Sequence, residues 1–192
     1  MIGRVLRGLR KSYWNSRARI QFGLRGVRWP ADLTVLGPLG LSAAGSIELG
    51  ESITIVNRSE FNRAGIDHPT QLVAAAGATL RVGDRVGMSG ATVYATEQID
   101  IGSNVLIGAN SQIFDTDFHP IDWRDRREGK SALSAPVVIE DDVWLGANVT
   151  VLKGVRIGAR SVIAAGSIVH SDVPSDVLAG GVPAKVIRAL TN

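Results

Sequence analysis

An aliphatic residue falls on every sixth position from Ile139 to Val169, through Leu145, Val151, Ile157 and Ile163. This register excludes a helical bundle, because six is not a multiple of the 3.6-residue helical turn. Gly146, Gly158 and Ala164 directly follow hits, while Val143, Val149, Val155, Ser161, Ser167 and Val173 hold the fourth position after one. Each hexad reads as one short flat strand plus a turn. Three hexads close a triangular coil, with the aliphatics stacked inside and successive coils joined by parallel ladders.

The same register is predicted upstream at Val82, Met88 and Tyr94, slips by one residue, and resumes at Ile101, Ile107 and Ile113. Ile47, Leu49, Ile53 and Ile55 alternate as strand residues do, whereas residues 59–71 do not scan and are expected to loop out. The ladder breaks between Ile113 and Ile139 at a polar excursion over residues 118–136. A long departure from a regular solenoid is usually functional. Three segments are expected: a basic one over 1–30, a β-helix over 31–180 and a tail over 181–192.

The chain has no cysteine, which excludes a disulfide framework, a thiolate metal site and a cysteine acyl-enzyme. Its net charge of +3 hides an asymmetry: residues 1–30 carry eight Arg and Lys and no acid, leaving 13 bases against 18 acids elsewhere. Ile2, Val5, Leu6, Leu9 and Tyr13 follow helical spacing, with Arg4, Arg7 and Lys11 turned the other way. This short basic helix either packs on the open end of the domain or meets an anionic membrane through residues 1–20. No nucleic-acid motif accompanies the charge, so a nucleic-acid partner is not expected. With no secretory leader and no membrane-length apolar run, a cytoplasmic location is expected.

The strings IGSNVLIGANSQI (101–113), FHPIDWRDRR (118–127), VVIEDDVWLGANVTVLKGVRIGARSVIAAGSIV (137–169) and GVPAKVIR (181–188) together resemble the hexapeptide acyltransferases. The resemblance covers residues 80–190 and is greatest to the maltose/galactoside O-acetyltransferase branch with its relatives in surface-polysaccharide synthesis. It implies an all-β fold, a left-handed parallel β-helix, here with short N-terminal and C-terminal helices. It also implies a homotrimer with three sites between neighbouring subunits, acetyl-CoA as co-substrate and no metal. By the same resemblance His119 is the catalytic base, Trp144 borders the site, Ala147 and Ala165 flank the pantetheine arm, and Arg188 lies near the CoA phosphates. Where sugar-acetylating relatives carry Thr-Lys after the last hexad, this chain has His170-Ser171. Around Ser89 and Gly90 nothing matches the acceptor-binding Asn of the galactoside branch.

Acetyl transfer from a thioester to an alcohol needs a base for the hydroxyl proton, and imidazole titrates near neutrality. In an extended chain Asp115, Asp117 and His119 share one face, so either carboxylate could orient the imidazole. Trp144 is too large for a coil lined by Val, Ile and Ala and is expected to point outward. The turns after Ala147 and Ala165 offer N–H groups to the thioester oxygen or the CoA amides. Of Lys153, Arg156, Arg160, Lys185 and Arg188, the last is expected at the phosphates. Trp123 and Trp144 are available to stack on a sugar face.

A zinc-dependent β-helix carbonic anhydrase needs three histidines together, and His68, His119 and His170 are too far apart in sequence for that. Thr79, Thr92, Thr96, Thr116 and Thr150 form no hexad column, against an ice-binding or purely structural helix. The expected activity is O-acetylation of a sugar or polysaccharide-precursor hydroxyl. N-acetylation of an amino-sugar nucleotide is the alternative.

Overall fold

The computed structural model describes residues 2–190, with side chains from Gly8 onward. Successive strands rotate through three walls of a prism. The first wall holds eight strands from Thr34–Leu36 to Ala184–Ala189, the second six from Gly40–Ala43 to Ile168–Val169, and the third five from Ser46–Leu49 to Arg156–Ile157. Every pairing between these strands is parallel except the last, as hexads winding in one direction require.

Equivalent residues of successive coils stack in columns. The first wall buries Val35, Ile55, Met88, Ile107, Leu145, Ile163 and Ala179 in register. The second buries Leu41, Leu72, Val93, Ile113, Val151 and Val169. A buried Val, Leu or Ile is worth about 1.5–3 kcal/mol, and these columns form one continuous core. Tyr94, expected in the inward register, instead faces out beside Phe114, and Val93 takes the core position. The narrow coil accepts the valine and not the ring. Ile99 and Ile101 both point inward from the next third-wall strand, which restores the six-residue count.

The corners repeat as strictly as the core. Asn104, Asn110, Asp142, Asn148, Gly154, Arg160 and Gly166 have left-handed backbone. Each precedes a buried corner residue: Val105, Ser111, Val143, Val149, Val155, Ser161 or Ser167. Asn, Asp and Gly tolerate that conformation best. Coil stacking also fixes glycines by closeness. A Cβ on Gly108 would lie 2.4 Å from the Gly146 carbonyl carbon, and one on Gly146 would lie 2.6 Å from the Ala165 nitrogen.

The N-terminal helix α1 (Ile2–Leu24) has 23 residues, longer than the short helix expected over 2–13. It covers the open end of the prism. Asn15 Oδ1 accepts the Val35 N–H at 2.7 Å, and Ala18 and Phe22 are buried on the first coil. It stops because Gly26, at φ +67°, lets Val27 N–H reach the Phe22 carbonyl and Gly26 N–H the Gly23 carbonyl. Leu9 and Tyr13 of the expected apolar face are exposed, and the side chains of Ile2, Val5 and Leu6 lie outside the described residues.

At the other end the expected short helix is absent. Val177–Gly181 and Ala184–Ala189 form an antiparallel hairpin on the first wall instead. The β-branched Val186 and Ile187 suit a strand, and the hairpin pairs the otherwise open edge of Val162–Ile163.

Two loops leave the coils. Residues 57–70 depart where the first wall turns into the second, two residues ahead of the 59–71 expected to loop out and ending at Thr70, because Gln71 already pairs in the second wall. Buried Asn57 closes that neck, accepting the Thr70 N–H at 2.8 Å and donating to the Pro38 carbonyl at 2.7 Å. The long excursion departs where the second wall turns into the third, between Gln112–Phe114 and Val137–Ile139.

Candidate active site

The neck of the long excursion is built on Asp115. Its carboxylate is fully buried and accepts the Thr96 N–H at 2.8 and 3.0 Å, the Thr96 hydroxyl at 2.9 Å, and the Glu97 and Gln98 N–H at 2.7 and 2.9 Å. Both oxygens are thus committed to the corner of the preceding coil. Thr116 bridges Ser134 in antiparallel fashion, and Asp117 N–H donates to the Leu133 carbonyl at 3.1 Å. Phe118 then takes φ +61°, and His119 N–H donates to the Asp117 carbonyl at 2.7 Å, a three-residue turn. A bulky residue holds such a conformation only where its surroundings enforce it. Here the Phe118 ring sits edge-on to Tyr94 and to Phe114, 5.1 Å from each.

This turn removes the extended backbone on which a shared face for 115, 117 and 119 depends. Asp115 points into the coil. Asp117 Oδ2 is buried 2.9 Å from Lys153 Nζ, off the hydrogen-bond line. Neither carboxylate hydrogen-bonds the imidazole among the described residues, and His119 stands exposed at the tip of the turn.

Further along, Asp122 caps α2 (Trp123–Arg127), its side chain accepting the Arg124 N–H at 2.7 Å. Arg124 and Arg127 lie 4.5 and 4.6 Å from the Trp123 ring centroid, so this ring is already engaged by guanidinium groups. Hydrogen bonds donated by the Lys130 ammonium to Asp125 and Glu128 hold it above its ordinary pKa.

The remaining expected site residues gather elsewhere. Leu106, Trp144, Val162, Leu178 and Arg188 pair in one register across the first wall. Trp144 points outward, 52% exposed, as its size predicts. Three ladder steps of about 4.8 Å separate Trp144 from Arg188, roughly 14 Å along the wall. Trp144 and Ala147 line one groove with Leu106, Ala109, Ser89 and Asn62. Ala147 and Ala165 stack at the corner between the first and second walls, where Gly166 N–H donates to the Ala147 carbonyl at 2.9 Å. The N–H groups of Ala147 and Ala165 themselves have no acceptor among the described residues.

The bases sort by partner. Lys153 pairs with Asp117, Arg156 with Glu140 and Arg160 with Asp176. Lys185 and Arg188 have no carboxylate partner among the described residues. Trp144, Ala147, Ala165 and Arg188 therefore share one wall and its corner, while His119 rises from the corner at the far side of the second wall. One protomer does not bring the two halves together.

The sequence predicts a loop over 59–71 but gives it no part in the site, whereas the loop 57–70 folds against the groove. Asn62 Nδ2 donates to Ser89 Oγ at 3.0 Å, and Asn110 Nδ2 to the Gly65 carbonyl at 2.7 Å. His68 Nδ1 lies 2.8 Å from Asp67 Oδ1, with its Nε2 3.3 Å from Thr92 Oγ1. The only signal was local, a second His-Pro step at His68-Pro69. Among the described residues no three His, Cys, Asp or Glu side chains converge as a metal site would need.

Comparison with known proteins agrees with this architecture. Residues 136–171 match the bacterial transferase hexapeptide family (six repeats), and residues 98–113 match the hexapeptide repeat of succinyl-transferase. The galactoside O-acetyltransferase of Escherichia coli is 42% identical over 101 residues, 53% of this chain and 49% of that protein. The chain spans about half the length of the curated relatives it matches. A hexapeptide-repeat acetyltransferase of Vibrio cholerae, solved with acetyl coenzyme A, is 34% identical with a TM-score of 0.58, covering 93% of this chain and 78% of that one. A maltose O-acetyltransferase of Clostridium difficile, 24% identical with a TM-score of 0.61 over 97% of this chain and 89% of that one, shares the fold. With its stacked hexads, its excursion and these relatives, this chain, a left-handed parallel β-helix, belongs to the hexapeptide-repeat acetyltransferases.

Proposed function

We propose that the protein transfers the acetyl group of acetyl-CoA to a hydroxyl of a sugar or sugar-derived acceptor, with His119 as general base. The observation that carries this reading is the enforced turn at Phe118, which presents an exposed imidazole from a rigid neck. A neutral imidazole nitrogen takes the acceptor hydroxyl proton as the oxygen attacks the thioester carbonyl carbon. The C–O bond forms, the C–S bond breaks, and the imidazolium returns its proton to the departing thiolate.

The Trp144 wall suits the co-substrate. Its outward apolar column offers a track for the pantetheine arm, the N–H groups of Ala147 and Ala165, without acceptors among the described residues, are donors for amide or thioester oxygens, and Arg188, without a carboxylate partner among those residues, is a cation for phosphate. Names of relatives support the chemistry, since the matched proteins include galactoside O-acetyltransferases and an acetyltransferase solved with acetyl coenzyme A. Because His119 and the Trp144 groove occupy different corners of one protomer, a complete site needs a neighbouring copy, and we assign a homotrimer on that ground.

The deciding experiment is a screen of free sugars, glycosides, nucleotide-linked sugars and amino sugars with acetyl-CoA, detecting released thiol, alongside a solution mass measurement. A sugar hydroxyl as best acceptor and a trimeric mass are expected. Turnover of amino sugars alone, with an amide product, would replace O- by N-acetylation, and a fully active monomer would overturn the shared site.

A further inference from the structure

Helix α1 has two apolar faces, and only one of them is used. Ala18 and Phe22 pack on the first coil, whereas Leu9, Tyr13, Ile20 and Leu24 are 63, 57, 63 and 80% exposed. These four are spaced by four, seven and four residues, so they form one stripe on the side opposite Ala18. Scattered exposed apolar residues are ordinary, but a contiguous stripe along a helix marks a docking surface.

Charge identifies its occupant. Of the cations on and just after the helix, Arg10 alone has a carboxylate partner among the described residues, Glu60 at 2.8 Å. Lys11, Arg17, Arg19, Arg25 and Arg28 are exposed, and none has a carboxylate within ion-pair distance among those residues. Arg17 borders the stripe, so two α1 stripes placed face to face would bring the Arg17 guanidinium groups together, whereas anionic headgroups would neutralise them. Among the described residues no helix is long and apolar enough to cross a membrane, so a stripe of this kind would lie in the interface plane rather than span it.

We propose that α1 docks the protein on an anionic lipid surface through the Leu9, Tyr13, Ile20 and Leu24 stripe, with Arg17 at the headgroups. The proposal rests on the helix alone and stands whether or not the acetyl transfer is correct. The test is co-sedimentation of the full chain with phosphatidylcholine vesicles, with and without about one third phosphatidylglycerol. Binding is expected only to the anionic vesicles, weakening as salt rises. The double variant Ile20→Ser/Leu24→Ser should bind at least about tenfold more weakly and Arg17→Gln about fivefold, with thermal midpoint and solution mass unchanged. Failure to sediment with anionic vesicles, or undiminished binding of the double variant, overturns the proposal. A fall in solution mass of the double variant also overturns it, by assigning the stripe to a second copy.

Discussion

The Asp117 carboxylate lies 2.9 Å from the Lys153 ammonium, tying the turn that presents His119 to the coil beyond the strand Thr150–Val151. The Asp117 carbonyl, on the same residue, accepts the His119 N–H. Asp117 is therefore placed to position the imidazole through the backbone rather than through its side chain.

His119→Ala should lower kcat by roughly 10²–10⁴ while leaving acetyl-CoA affinity nearly unchanged. Steady-state rates together with calorimetric binding of the co-substrate check this. An unaltered kcat would remove the proposed mechanism.

Asp117→Asn and Lys153→Met should each reduce kcat by up to about 10²-fold with little change in KM for acetyl-CoA, because both release the same turn. Lys153→Arg, which keeps the charge, should recover most of the rate. Additive losses in the Asp117→Asn/Lys153→Met double variant would show that the pair does not act as a unit.

Asp115→Ala leaves three part-buried backbone donors, of Thr96, Glu97 and Gln98, without an acceptor. It should destabilise the protein by about 3–5 kcal/mol in urea unfolding. The folded fraction should keep a near-normal kcat, and a selective loss of kcat at unchanged stability would restore a catalytic role to this carboxylate.

Trp144→Ala and Arg188→Gln act on the wall proposed for the co-substrate. Each should raise KM for acetyl-CoA about tenfold, equivalent to about 1.4 kcal/mol, with kcat changed far less. The Arg188→Gln effect should shrink at high salt, since the lost contact is a charge pair.

The Arg160 guanidinium donates twice to Asp176, at 2.6 and 2.7 Å, and holds that carboxyl below its ordinary value of 3.8. A depressed folded value means that the pair stabilises above the unfolded pKa and that this contribution fades as pH falls through the folded one. Thermal midpoints should therefore decline faster below about pH 4 in the native protein than in Arg160→Gln. Parallel acid profiles for the two proteins would count against this linkage.

The hexad register from Ile139 to Val169 was legible because each coil repeats one local solution: a short strand, a tight corner and one inward aliphatic. Such information is local and periodic, so sequence alone determined the prism, the outward Trp144 and the position of the excursion. Tyr94 was misread because its spacing fits the repeat while its ring does not fit the coil. Local pattern also missed the C-terminal hairpin, which forms to pair an edge that exists only once the coils are stacked.

The division within the site follows the same physics. Family resemblance nominated His119, and the spacing of an extended chain added Asp115 and Asp117 on its face. Only the tertiary structure separated them, because their roles depend on long-range partners. Asp115 meets donors 17 to 19 residues earlier, and Asp117 meets Lys153 on a later coil. Phe118, held between Tyr94 and Phe114, turns the backbone that aims His119. Residue type and period set the scaffold through short-range sterics, while contacts between coils decided which side chains remain free for chemistry.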